Sequence, residues 1–268
     1  MNQHGTAPDS GSHYYSSLRG FEKLFQSGVP ILTYHKLGPR RRKARIKGLY
    51  VSGSLFTRQL DELSRARFVT QPLKKVSQVG QVNQPSIVLT FDDGFRSVVE
   101  FGLEPLAANR YQAMQFLVAD LIGRTNEWEQ KEGGVPEPLM DAAQVREWLA
   151  AGHEIGSHTL THPWLTRLPA REAREEIVAS KKKLEDLFGL AVEHFCYPYG
   201  DWNETVRDTV IEAGYQSACT TEFGINTPNT SPFAFKRITA RYRSRNLKAW
   251  LARWPVFKSV FLRLRPGP

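Results

Sequence analysis

Two stretches of this chain carry residue types that could do chemistry together. The first is Ser86-Ile87-Val88-Leu89-Thr90-Phe91-Asp92-Asp93-Gly94. Its residues Ile87 to Thr90 are apolar or β-branched, which marks a buried strand. Two carboxylates stand at the C-terminal end of that strand. Successive side chains on a strand point to opposite faces, so Asp92 and Asp93 can serve one site only if the backbone turns there. Gly94 permits such a turn. The second stretch is His158-Thr159-Leu160-Thr161-His162-Pro163. Two imidazoles at i and i+4 would point the same way if one helical turn separated them. Alone, a strand ending in Asp-Gly is common. Together, one oxygen donor and two imidazoles suit zinc or a similar divalent ion with a position left open for water. On this reading Asp93, His158 and His162 are the metal ligands. Asp92 stays free to take a proton from that water.

These residues also carry a resemblance. Thr90-Phe91-Asp92-Asp93-Gly94 and His158-x-x-x-His162-Pro163 resemble the first two motifs of the polysaccharide deacetylase (NodB-homology, carbohydrate esterase family 4-like) family. Phe195-Cys196-Tyr197-Pro198-Tyr199-Gly200 is similar to the third, which supplies a backbone N–H, here that of Tyr199, to the oxyanion. The motifs occur in family order, and the resemblance covers roughly residues 29 to 245. It implies a metal-dependent hydrolase that removes an N-acetyl group from an amino sugar in a polysaccharide or glycolipid. The metal would be Zn2+ by default, with Ni2+, Co2+ or Mn2+ able to occupy the same ligands.

The chain departs from the common family pattern in three places. Cys196 stands where many members have an arginine that orients the catalytic aspartate. Arg237, or failing it Arg241, both near a late strand, is expected to take that role. The Asp-Trp fourth motif has no clear match. The C-terminal histidine motif is missing, since none of the seven histidines follows His194. A branch that includes bacterial poly-N-acetylglucosamine deacetylases instead presents its catalytic histidine from the first strand. Tyr34-His35 matches that setting, so His35 is expected to protonate the leaving amine.

Elements must be placed so that these residues meet. Strands are expected at 29–35, 69–73, 86–91, 113–119, 151–158, 193–199, 217–221 and 236–241. Helices are expected around 56–63, 73–79 and 96–110, from Asp141 as N-cap to 151, from 169 to 188 closed by Gly189, and over 203–213. Alternating strands and helices argue for a mostly parallel sheet with functional residues at the strands' C-terminal ends. The family fold, a distorted (β/α)7 barrel, is therefore expected, with an open doubly wound sheet as the alternative. His153, at the start of its strand, should lie at the far end of the barrel. The long segment from Asp120 to Pro138 reads as a lid in which Trp128 could stack on a sugar. Trp202 is a second candidate for facing the substrate. Lys36, Arg40, Arg41, Arg42, Lys43, Arg45 and Lys47 form a basic run just after His35 that could line the mouth of the site and bind an anion.

Three regions are expected: an N-terminal extension over 1–28, partly disordered, the barrel over 29–245, and a basic amphipathic tail over 246–268 that could lie on a membrane. Net charge is +9, with a pI near 9.6. That favours an anionic partner such as a membrane surface or a charged glycolipid. No nucleic-acid-binding motif accompanies the charge. Two cysteines cannot make a disulfide framework and are expected as buried free thiols. No signal-like apolar segment or spanning run is present in the sequence, so a cytoplasmic place is expected, with a peripheral place at the inner membrane face as the option. Rival readings are a deformylase or other amide hydrolase acting on a lipid-linked sugar, and a non-catalytic glycan-binding protein.

Overall fold

The computed structural model describes residues 14–78 and 84–241. A single helical turn, α1 (Glu22–Phe25), precedes β1 (Ile31–Tyr34), β2 (Lys36–Leu37) and β3 (Tyr50–Val51). Then come α2 (Gly53–Arg65), β4 (Val69–Thr70), β5 (Ser86–Phe91), α3 (Arg96–Ala108) and β6 (Met114–Leu117). The chain continues through α4 (Glu127–Gln130), α5 (Ala142–Ala150), β7 (Glu154–Ser157), α6 (Ala170–Phe188), β8 (His194–Cys196), α7 (Glu204–Glu212), β9 (Ser217–Cys219) and β10 (Ile238–Thr239).

Seven strands run parallel in the order β10-β1-β5-β6-β7-β8-β9, with β4 pairing the start of β5. Residues just before β10 close the ring. Phe235 exchanges hydrogen bonds with Ala218 and Thr220 beside β9, while Ile238 pairs with Leu32 of β1. This is a distorted (β/α)7 barrel rather than an open doubly wound sheet.

Period-two alternation sorts the side chains into two cores. Ile31, Val88, Met114, Phe116, Cys196, Cys219 and Phe235 fill the barrel interior. Leu32, Tyr34, Leu89 and Phe91 face outward, beneath Phe56, Val98 and Trp148 of the surrounding helices. Phe116 fits only because Gly156 stands opposite, where a Cβ would come within 2.6 Å of the ring. Cys196 and Cys219 face each other across β8 and β9 as buried free thiols.

The helix signals act as expected. Asp141 and Gln144 form a reciprocal capping box on α5, Asn203 caps α7, and Gly189 ends α6 in the left-handed region. Of the N-terminal extension, residues 14–28 pack on the barrel. Tyr15 bridges Ala240, and Phe21 and Phe25 are buried. Residues 1–13 and the basic tail over 246–268 lie outside the described residues. Among the described residues no helix is long and apolar enough to cross a membrane.

Candidate functional site

The site lies at the C-terminal ends of the strands. Asp92 continues the inward phase of Val88 and Thr90, so its carboxylate enters the barrel mouth. The reversal that brings Asp93 to the same side begins one residue earlier than expected. Asp93 itself takes φ +75°, and Gly94 follows at +79°. Aspartate tolerates the left-handed region better than most residues, because its short polar side chain can bond locally.

His158 and His162 do converge, but no helical turn joins them. The intervening residues form an irregular loop in which Thr159 and His162 both have positive φ, +69° and +67°. Polar contacts hold this strained path. The His162 N–H donates to Thr159 Oγ1 at 3.0 Å. Glu176 of α6 accepts from the Leu160 and Thr161 N–H groups at 2.9 Å each, and from the Thr161 hydroxyl. Backbone strain of this kind persists only where surrounding bonds over-determine it.

His158 Nδ1 lies 2.7 Å from the Cys196 carbonyl. A carbonyl can only accept, so that nitrogen carries a proton, and in the neutral ring Nε2 is the atom free to bind an ion. Asp93 Oδ1 stands 3.4 Å from His158 Nε2 and 3.4 Å from His162 Nε2. Tetrahedral ligands about 2.0–2.1 Å from a zinc stand roughly 3.3 Å apart, so this spacing fits a bound ion better than a direct hydrogen-bonded contact. All three side chains are buried, and their donor atoms fall within 4.8 Å of one another.

Asp92 is held separately. Arg237 grips it with two parallel hydrogen bonds of 2.8 Å, one to each carboxylate oxygen. The same guanidinium donates to the Thr220 carbonyl, to Thr90 Oγ1, and to Cys196 Sγ at 3.1 Å. Burial alone would raise the Asp92 pKa, but the Arg237 charge and bonds win and hold it below the usual carboxylate range. His35 sits just beyond β1, its Nε2 3.9 Å from Asp92 Oδ2. Burial lowers the His35 pKa against the pull of Asp93 and Asp92. Arg241, the other candidate partner for Asp92, lies elsewhere, its guanidinium 3.7 Å from the Tyr14 ring centroid.

Comparison with known proteins gives the family. The profile of the polysaccharide deacetylase family matches residues 79–218, more than half of the 268-residue chain. The chain belongs to the polysaccharide deacetylase family. YxkH of Bacillus subtilis, named for the same family, is 25% identical over 214 residues, which span 78% of this chain and 70% of that protein. A chitooligosaccharide deacetylase of Sinorhizobium fredii is 30% identical over 133 residues, but these cover only 48% of this chain and 54% of the relative. Among solved structures, IcaB from Ammonifex degensii superposes with a TM-score of 0.71 at 24% identity, over 83% of this chain and 96% of that one. At that identity IcaB speaks for the fold alone.

Of the remaining candidates, Tyr199 and Trp128 fall beside the Asp93–His158–His162 cluster, and Trp202 and His153 do not. Tyr199 has φ +60° in a one-turn 3-10 helix, where its N–H belongs to the first turn and has no intrahelical acceptor. Gly200 behind it must be glycine, since a Cβ would approach Thr221 Oγ1 to 2.0 Å. The Tyr199 ring stacks on Trp164 at 4.1 Å and meets His162 edge-on at 4.5 Å. Trp128 is not open to a sugar as expected: it is buried and stacks on the His162 ring at 4.5 Å. Trp202 packs on Tyr197, away from the ligand cluster. His153 packs on Trp148 at the opposite end of β7 from His158.

The basic run is not a uniformly solvated strip. Lys36 is buried and pairs with Glu129 and Glu137 of the Asp120–Pro138 segment at 2.8 and 3.0 Å. Arg45 pairs with Glu132 of that segment. Arg40, Arg42, Lys43 and Lys47 are exposed. Sequence reasoning missed Glu176 and the Lys36 pairings. A lysine beside six other basic residues gives no local sign of burial, and Glu176 sits on a helix face like many surface acids.

Proposed function

We propose that this deacetylase hydrolyses the N-acetyl group of an amino sugar in a glycan or glycolipid, releasing acetate and a free amine. The observation that carries the reading is the pairing of an Arg237-anchored carboxylate, Asp92, with the adjacent Asp93–His158–His162 cluster. Asp93, His158 and His162 would hold a divalent ion, zinc by donor type, with cobalt, nickel or manganese able to replace it. Such an ion supplies Lewis acidity toward the amide oxygen and acidifies water.

The chain's own residues supply the rest. Asp92, kept ionised and fixed by Arg237, takes the proton of the attacking water. The Tyr199 N–H, which has no acceptor within its turn, donates to the oxyanion as the amide carbon becomes tetrahedral. His35, whose Nε2 lies 3.9 Å from Asp92 Oδ2, gives a proton to the departing amine nitrogen. Without that proton the C–N bond would have to break to a strongly basic amide anion. The rings of Tyr199 and Trp164 form an apolar wall beside the cluster, suited to the face of a sugar. A non-catalytic glycan binder has no need of a buried base gripped at both oxygens. Relatives named as chitooligosaccharide and peptidoglycan N-acetylglucosamine deacetylases support the substrate class.

The test is acetate release from N-acetylhexosamine substrates, soluble oligomers beside lipid-linked monosaccharides, with and without chelator. Chelator-sensitive release by the wild type, lost in Asp92→Asn, is expected. A protein that binds one zinc yet releases no acetate from any of them would move the reading to another acyl group.

A further inference from the structure

The two histidines of the cluster are fixed in different ways. His158 has the usual arrangement, its distal nitrogen bonded to a backbone carbonyl, which sets tautomer and ring orientation. His162 has none: its buried Nδ1 finds no hydrogen-bond partner among the described residues. Its backbone is also strained, at φ +67°. What holds the ring is aromatic contact on two sides. Trp128 lies nearly parallel to it, 24° between planes, and Tyr199 meets it at 73°.

We propose that Trp128 is a positioning residue that takes the place of the missing hydrogen bond and aims His162 Nε2 at the ion, and that the buried Lys36–Glu129 pair is the anchor that keeps Trp128 there. This rests on the metal-site reading given above. The anchor is built for the task. Glu129 lies one residue after Trp128 on α4 and accepts from Lys36 Nζ through both oxygens, at 2.9 and 2.8 Å. Asn126 ties the start of the same turn to Glu129 and to the Val135 carbonyl. Lys36 follows His35 in the chain and stands 4.4 Å from the Phe95 ring centroid, and Phe95 in turn lies against Trp128. α4 has only four residues, too few to be stable alone, so its position depends on this pair.

The experiment measures zinc transfer to a chromogenic chelator, and Co2+ affinity by absorption and tryptophan quenching, for the wild type, Trp128→Leu, Trp128→Phe and Glu129→Gln. Loss of an interaction that orients a metal-bound histidine typically weakens binding about 10–100-fold. Trp128→Leu is expected to bind Co2+ at least about tenfold more weakly and to lose zinc correspondingly faster. Trp128→Phe, which keeps a ring, should recover most of that loss while losing much of the Co2+ quenching of indole emission. Glu129→Gln should shift zinc loss in the same direction by a smaller factor. Zinc release within twofold of wild type in folded Trp128→Leu would overturn the inference. Should Trp128→Leu not fold, a Trp128→Phe that releases zinc normally and keeps full quenching would overturn it equally. A wild type that binds neither zinc nor Co2+ would instead sink the metal site itself, and the inference with it.

Discussion

Arg237 and Asp92, 145 positions apart, meet as a buried bidentate pair with both bonds at 2.8 Å. Cys196, close to both, is too short and only weakly polar to orient a carboxylate, and its thiol sits 3.8 Å from Asp92 Oδ2. The guanidinium from the barrel-closing segment does so instead. Lysine would keep the charge but lose the two-pronged grip. Arg237→Lys is therefore expected to stay folded and to lose about 10²-fold in kcat, the usual scale for a misplaced catalytic group. Arg237→Met should also unfold more easily, by about 3–5 kcal/mol, because it strands a buried carboxylate. Steady-state kinetics and denaturant unfolding separate the two effects. A Lys variant with wild-type kcat would show that orientation is unimportant.

Asp92 and Asp93 adjoin in sequence but should behave differently. Asp92→Asn removes the proposed base and leaves the three ligands intact. Zinc stoichiometry by atomic absorption should stay at one per chain while kcat falls by about 10²–10⁴-fold. Asp93→Asn should lose the metal along with activity. Equal zinc loss in both variants would mean that Asp92 is itself a ligand.

His35 is assigned to the leaving group, and that role has a distinctive signature. His35→Gln should lower amide hydrolysis by about 10²–10⁴-fold. Hydrolysis of 4-nitrophenyl acetate, whose phenolate departs without a proton, should fall much less. Equal losses on both substrates would place His35 on the nucleophile side.

Two histidines away from the site contribute to acid sensitivity. Burial lowers His153 to about 4, and it does the same to His194, with Lys74 and Lys181 adding to the effect. In the unfolded chain both would titrate near 6.5. The folded state therefore binds fewer protons between these values, and its stability is complete above pH 6.5 and lost as pH falls toward 4. The cost is on the order of 1–3 kcal/mol for each histidine. Thermal unfolding between pH 7 and 4.5 should show this decline, and His194→Asn should flatten it. A midpoint that does not move over that interval would contradict the assignment.

Much of this was legible in local patterns. Ile87 to Thr90 announced a buried strand, and the Asp-Asp-Gly that follows it placed two carboxylates at a strand end. The cap Asp141 and the terminal Gly189 did their work where the pattern put them, because caps depend on neighbours two or three residues away. His158 and His162 were found by residue type and spacing. The helical turn assumed between them was wrong, because a left-handed path at Thr159 and His162 leaves no trace in composition. Lys36 misled for a related reason: a run of like charges suggests a wet loop, and only its distant acids make burial tolerable.

The sequence by itself therefore determined the family, the strand-helix alternation and which residues make up the candidate cluster. All of these depend on residue type and short spacing. Only the tertiary structure decided that Arg237 rather than Arg241 is the partner of Asp92, that Trp128 closes on His162 rather than on a sugar, and that Glu129 and Glu137 bury Lys36. Each of these joins segments many residues apart, and a one-dimensional pattern reports a residue's tendency to be buried but not against what. Barrel closure through Phe235 to Thr239 supplies that information, since it fixes which strand ends become neighbours.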